Sequence, residues 1–123
     1  MIDDQISILV VDDSEFMRHF IVGFLKEAGF KMIHCASNGI QAVEKYKKDP
    51  ADIILMDILM PEQDGITTLK EFQALGAKVI MISAIGQKSM IDRALEIGAI
   101  DYLIKPFFTA DEIATKIRSA VNT

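Results

Sequence analysis

Five short runs of β-branched and aliphatic residues punctuate this chain, and segments with helical spacing lie between them. That alternation limits the fold more than any other feature. Ile6 to Val11, Ile53 to Met56 and Val79 to Ile82 are the clearest runs, with Met32 to Ala36 and Asp101 to Ile104 weaker. The three clear runs show no apolar/polar alternation, the pattern of parallel strands covered on both faces. Phe16, Met17, Phe20, Ile21, Phe24, Leu25 and Ala28 recur at the spacing of one helix face. Ile91, Ala94, Leu95 and Gly98 repeat that spacing, as do Ile113, Ile117 and Val121. Ser14, Asn38 with Gln41, and Thr109 with Glu112 supply helix starts. Gly29, Gly76 and Gly98 lie where helices should stop. A β-α unit repeated five times predicts a mostly parallel sheet with helices on both faces and right-handed crossovers. Alternation leaves the strand order open. It does locate function, because open α/β sheets bind ligands at the carboxyl ends of their strands.

A chain of 123 residues holds one core and is too short for two ordinary domains. Half of it is apolar and no stretch is dominated by Gly, Ser or Pro, so neither linker nor disordered arm is expected. The apolar runs are far short of a membrane span. The start, Met1-Ile2-Asp3-Asp4, lacks the basic region and apolar stretch of a signal peptide, and a cytoplasmic location is expected. The lone Cys35 cannot close an internal disulfide and reads as a small buried hydrophobe in an apolar strand. A net charge of −5 with scattered basic residues argues against duplex DNA or an anionic membrane as partner. The acidic surplus also fits carboxylates gathered to hold a cation.

Asp12 and Asp13 follow the first run, Asp57 the third, Ser83 the fourth, and Lys105 with Pro106 the fifth. Each has an ordinary reading alone: a helix cap for Asp12 or Asp13, a loop acid for Asp57, a turn residue for Ser83, a solvated lysine for Lys105. Together, at successive strand ends, they gather three carboxylates, a hydroxyl and an ammonium on one edge of the sheet. Carboxylates held close raise one another's pKa unless a cation joins them. Magnesium, a hard ion with oxygen ligands, fits a site of few carboxylates that also binds phosphate. A carboxylate oxygen left free can attack a phosphoryl donor and form an aspartyl phosphate. Charge on the transferring oxygens would be balanced by the metal, Lys105 and hydroxyl or backbone donors.

These residues carry a family resemblance. Val10-Val11-Asp12-Asp13-Ser14 resembles the opening motif of response-regulator receiver domains. Met56-Asp57-Ile58-Leu59-Met60-Pro61-Glu62-Gln63-Asp64-Gly65 is similar to their phospho-acceptor segment, and Ser83-Ala84 and Lys105-Pro106-Phe107 complete the set in order. The resemblance covers essentially the whole chain. It implies a flavodoxin-like (βα)5 three-layer sandwich with a five-stranded parallel sheet in order 2-1-3-4-5, the order of flavodoxin and CheY. It further implies Asp57 as phospho-acceptor and a magnesium site of Asp13, Asp57, the Leu59 backbone carbonyl and, largely through water, Asp12. Lys105 would contact the phosphoryl group, with a cis peptide before Pro106. Ser83 would hydrogen-bond a phosphoryl oxygen and draw its loop inward, and Tyr102 would change rotamer into the vacated space. Gln63 departs from the family, which usually carries an apolar residue there.

Asp13-Ser14-Glu15-Phe16-Met17-Arg18 and Ser83-Ala84-Ile85-Gly86-Gln87 are most similar to stand-alone chemotaxis receivers of the CheY type. That implies a histidine kinase as phosphoryl donor, a target protein such as the flagellar motor switch on the Gln87 to Val121 face, a partner phosphatase, and a monomer. Residues 1–123 are expected to form a single receiver domain without an output domain, catalysing only its own phosphorylation and dephosphorylation. A phosphorelay intermediate and an unphosphorylated pseudo-receiver are the alternatives. Phosphatases of the haloacid dehalogenase class also use an Asp after a strand, but need a second Asp two residues on. Leu59 stands there and removes the general acid.

Overall fold

The computed structural model describes residues 3–60, 63–106 and 108–122. The motif residues Pro61, Glu62 and Phe107, and Met1 and Ile2 at the start, lie outside the described residues. Strands β1 (Ser7–Val11), β2 (Met32–Ala36), β3 (Ile53–Asp57), β4 (Val79–Ser83) and β5 (Asp101–Ile104) alternate with helices. These are α1 (Glu15–Glu27), α2 (Gly39–Lys48), α3 (Gly65–Ala74), α4 (Lys88–Ile97) and α5 (Ala110–Val121). The strands form one parallel sheet in order β2-β1-β3-β4-β5, as the resemblance implied.

Strand parity explains the three layers, because successive side chains leave a strand on opposite faces. Leu9, Val11, Ile54, Met56, Val79 and Met81 pack with Leu69, Phe72, Ile91 and Ala94 of α3 and α4. Ile8, Val10, Ile53, Leu55, Ile80 and Ile82 pack on the other face with Ile21, Leu25, Ile113 and Ile117 of α1 and α5. β1, β3 and β4 are therefore apolar at nearly every position, and that is why their runs do not alternate.

Caps fix where the helices begin. The Ser14 hydroxyl accepts from the Met17 N–H, Asn38 from Gln41, and Thr109 from Glu112. Asp64 caps α3 in the same way through the Thr67 N–H. Gly29, Gly76 and Gly98 follow α1, α3 and α4 with positive φ, the conformation that ends a helix.

Two readings of burial are corrected. Cys35 is only half-buried, because β2 is an edge strand with one neighbour. Phe16, counted on the apolar face of α1, is 77% exposed. Met17 beside it packs against the core, whereas Phe16 stays in solvent with its i+4 neighbour Phe20 stacked on it at 6.3 Å.

Candidate functional site

The buried strands β1 and β3 end side by side, and their ends set the acids in place. Val11 pairs with Met56, so Asp12 and Asp57 are neighbours one position further on. Asp12, Asp13 and Asp57 each offer an oxygen within 4.8 Å of the others. Asp12 and Asp57 are buried, while Asp13 is exposed at the rim. Lys105, just past β5, crosses to this edge. Its Nζ lies 3.0 Å from Asp57 Oδ2 and 3.7 Å from Asp12 Oδ2. The Lys105–Pro106 peptide is cis.

Neighbouring groups hold the acids in place. The Ser14 N–H donates to Asp12 Oδ1 at 2.9 Å, and the Leu59 N–H donates to Asp57 Oδ1 at 3.3 Å. Arg18, one turn into α1, donates from Nη1 to the Asp12 carbonyl at 2.7 Å. Behind β3 the chain must pass α3 closely. A Cβ on Gly65 would meet Ile58 Cα at 2.6 Å and the Asp57 carbonyl oxygen at 2.7 Å. Only glycine lets α3 begin against the end of β3.

Burial pushes the Asp57 carboxyl above the ordinary carboxylate range, against the pull of the Lys105 ammonium beside it. Burial raises Asp12 as well; the Ser14 N–H opposes the rise, and the Asp57 charge adds to it. For Lys105, burial works against the ammonium, but the hydrogen bond to Asp57 and the surrounding negative charge outweigh it, and its pKa is raised. Burial thus disfavours the charged form of both acids, while the negative charge around Lys105 keeps the ammonium protonated. Asp12 Oδ2 is buried without a hydrogen-bond partner. A buried carboxylate oxygen left in that condition suits a cation. The residues therefore fit magnesium: three carboxylates, one orphaned oxygen, all hard donors.

The other predicted positions lie around this edge. Ser83 ends β4 and is buried, and its hydroxyl donates to the carbonyl of Ala84 at 2.9 Å. Leu59 stands exposed beside Asp57. Tyr102 is on β5, away from the acids, with the Lys116 ammonium 5.0 Å from its ring centroid. Gln63 lies along α3, its amide donating to Thr68 Oγ1 at 3.0 Å and to Glu71 at 3.3 Å. A polar residue thus serves there by binding helix side chains. Two supporting residues had not been assigned a part from sequence: Arg18, which grips the loop of Asp12, and Gln87, whose side chain accepts from the Ala84 N–H at 2.8 Å. The signal for Arg18 was its place one turn after the Ser14 cap; the bond of Gln87 runs backwards across a loop and leaves no periodic trace. No helix among the described residues is long and apolar enough to cross a membrane.

Residues 8–118 match the family model of the response regulator receiver domain. The chemotaxis protein CheY of Bacillus subtilis (strain 168) is 48% identical over 117 residues, which cover 94% of this chain and 97% of that protein. Among solved structures, a response regulator receiver domain protein from Clostridium thermocellum superposes with a TM-score of 0.87 at 26% identity, covering 95% of this chain and 94% of that one. CheY in a complex with CheX, BeF3 and magnesium from Borrelia burgdorferi gives a TM-score of 0.83 at 35% identity, covering 93% of this chain and 87% of that one.

Proposed function

This chain belongs to the response regulator receiver domain family, close to chemotaxis CheY proteins, and from that membership we propose that it is a stand-alone chemotaxis switch phosphorylated on Asp57. The observation that carries this reading is the buried Asp57 at the end of β3, held 3.0 Å from the Lys105 ammonium, with Asp12 and Asp13 beside it.

A histidine kinase is the donor. One Asp57 oxygen attacks the phosphorus of its phosphohistidine; the new O–P bond forms as the P–N bond breaks, and the electron pair returns to the imidazole. Lys105 is near enough to Asp57 to follow the negative charge onto the phosphoryl oxygens. Asp13, Asp57 and the Leu59 carbonyl would hold magnesium directly and Asp12 largely through water. When bound, the ion supplies positive charge that offsets the carboxylates and the incoming phosphoryl group. Arg18 and Ser14 fix the loop from which Asp12 and Asp13 act.

The output is a changed affinity for a partner protein. The Ser83 hydroxyl turns to a phosphoryl oxygen, Tyr102 follows inward, and the face from Gln87 to Val121 presents a new surface. The flagellar motor switch is the target this reading favours, and a phosphatase ends the signal. The chain catalyses nothing beyond gaining and losing its own phosphoryl group.

Incubation with acetyl phosphate and magnesium, followed by intact mass measurement, tests this. One phosphoryl adduct, absent from Asp57→Asn, is expected. Continuous phosphate release without an adduct would indicate an enzyme, and no reaction at all a pseudo-receiver. Binding of an isolated motor-switch segment to the phosphorylated and unmodified protein then tests the partner: equal affinity would remove that target.

A further inference from the structure

The loop between β4 and α4 is tied by two hydrogen bonds that meet on one residue. The Ser83 hydroxyl donates to the Ala84 carbonyl at 2.9 Å, and the Ala84 N–H donates to Gln87 Oε1 at 2.8 Å. Both backbone polar groups of Ala84 are thus engaged, and the Ser83 hydroxyl proton is committed to its own loop. Gln87 is an unusual residue for its place. It is the N-cap of α4, where Ser, Thr, Asp or Asn ordinarily accept from the N–H groups of the helix they begin. Its side chain makes no such bond and turns back to Ala84 instead, leaving α4 without a side-chain cap. Gly86, at φ +93°, permits the chain reversal that brings the amide there. Under the same loop lies a cavity of about 310 Å³ lined by Ala84, Gln87, Ile91, Tyr102 and Ile104 among others. The segment therefore has space to move into, and the Gln87 side chain is one of the two that tie it where it is.

We propose that Gln87 is a positioning residue of the switch: its amide oxygen holds the Ala84 N–H and keeps the Ser83 loop in its resting arrangement. The inference rests on the phosphorylation reading above and adds to it the element that sets the resting equilibrium. As the Ser83 hydroxyl turns to a phosphoryl oxygen it draws its loop inward, and that displacement would carry the Ala84 N–H away from Gln87. The bond to Gln87 exists only in the resting arrangement, so it biases the equilibrium against the active one. Removing the acceptor should favour the active arrangement by the worth of one net hydrogen bond, about fivefold in the equilibrium constant.

Gln87→Met keeps the length and lacks the acceptor, whereas Gln87→Glu keeps an acceptor oxygen at the same reach. Two measurements are made on wild type and both variants. The first is hydrogen exchange at the Ala84 amide in the unmodified protein; the second is the apparent affinity for beryllofluoride in excess magnesium, read from Tyr102 chemical shifts. Gln87→Met should lose protection at Ala84 and bind beryllofluoride about fivefold more tightly. Gln87→Glu should keep that protection and show no such gain. Unchanged Ala84 exchange in Gln87→Met, or equal beryllofluoride affinity in wild type and Gln87→Met, overturns the role of Gln87 and leaves the phosphorylation reading standing. A wild-type protein that takes up no beryllofluoride overturns the phosphorylation reading itself.

Discussion

Asp57 is 3% exposed, so the chemistry at this position is confined to whatever reaches one buried carboxylate. Asp57→Asn preserves shape and removes the nucleophilic charge; the fold should survive and the adduct should vanish, as intact mass after acetyl phosphate treatment will show. Asp13 is the exposed member of the triad, and among the described residues it lacks the hydrogen-bonded supports that hold the other two. Asp13→Ala should therefore act chiefly on magnesium, weakening its binding in a titration while leaving the circular dichroism spectrum unchanged. Leu59 and Ile85, 49% and 72% exposed, stand two residues past Asp57 and two past Ser83. Hydrolysis of an aspartyl phosphate needs a water in line with the bond to be broken, and apolar side chains exclude water where polar ones hold it. The phosphoryl group should be long-lived, and the pair Leu59→Asn with Ile85→Glu should shorten its lifetime by roughly tenfold, about 1.4 kcal/mol of barrier. Equal decay of the purified wild type and double variant in excess magnesium would remove these side chains from the account. At this scale the sequence placed the acids, Ser83 and Lys105 on one edge of the sheet, because each stands at or directly after a strand end and strand ends converge. No part was assigned from it to Arg18 or Gln87, whose bonds depend on how far a long side chain reaches back across a turn.

Elements place these residues, and the end of β3 is placed by its contact with α3. The Gly65 N–H donates to the Ile58 carbonyl at 2.9 Å while its α-carbon leaves no room for a methyl group. The atoms a methyl would meet are backbone, which cannot swing aside as a side chain would. Gly65→Ala should cost about 1–3 kcal/mol by overpacking, measured by urea denaturation, and should slow phosphorylation because relief of the clash displaces the end of β3. Unaltered stability would mean that α3 can retreat freely. Ser83→Ala should still take the phosphoryl group and lose most of the affinity gain for the partner; a variant that binds as well as the phosphorylated wild type would break the proposed coupling. Which elements were legible follows from how they are buried. β1, β3 and β4 are covered on both faces and wrote uninterrupted apolar runs, whereas β2 and β5 are edges that mix exposed and covered positions. Periodicity marked α1 correctly but could not tell that Phe16, unlike Met17 beside it, stays in solvent. Strand order was beyond alternation altogether, since pairing of β1 with β3 is fixed by packing across the sheet. It was available only through the family resemblance.

For the molecule as a whole, the acid cluster is a local excess of negative charge set into a chain whose net charge is already −5. Burial raises Asp12 and Asp57, the mark of charges held in place by the surrounding fold at some cost. A cation that binds the folded arrangement and not the open chain must stabilise the fold by mass action. At a hundredfold excess over its dissociation constant the gain is about 2.7 kcal/mol, which for a domain of this size raises Tm by roughly 10 °C. Magnesium should therefore raise the thermal midpoint in a saturable way, and chelation with EDTA should return it. Charge screening would also stabilise an acidic protein, but without saturation and without regard to which cation supplies the ionic strength. Sodium chloride at matched ionic strength separates the two: it should give only a small part of the magnesium shift. Asp13→Ala changes the net charge in the direction that relieves repulsion, so screening alone predicts a more stable protein with the usual response to salt. Site binding predicts instead that this variant loses most of the magnesium-specific shift. If sodium reproduces the full effect, or if Asp13→Ala responds to magnesium as the wild type does, the acids act as diffuse charge and the cluster is not a magnesium site.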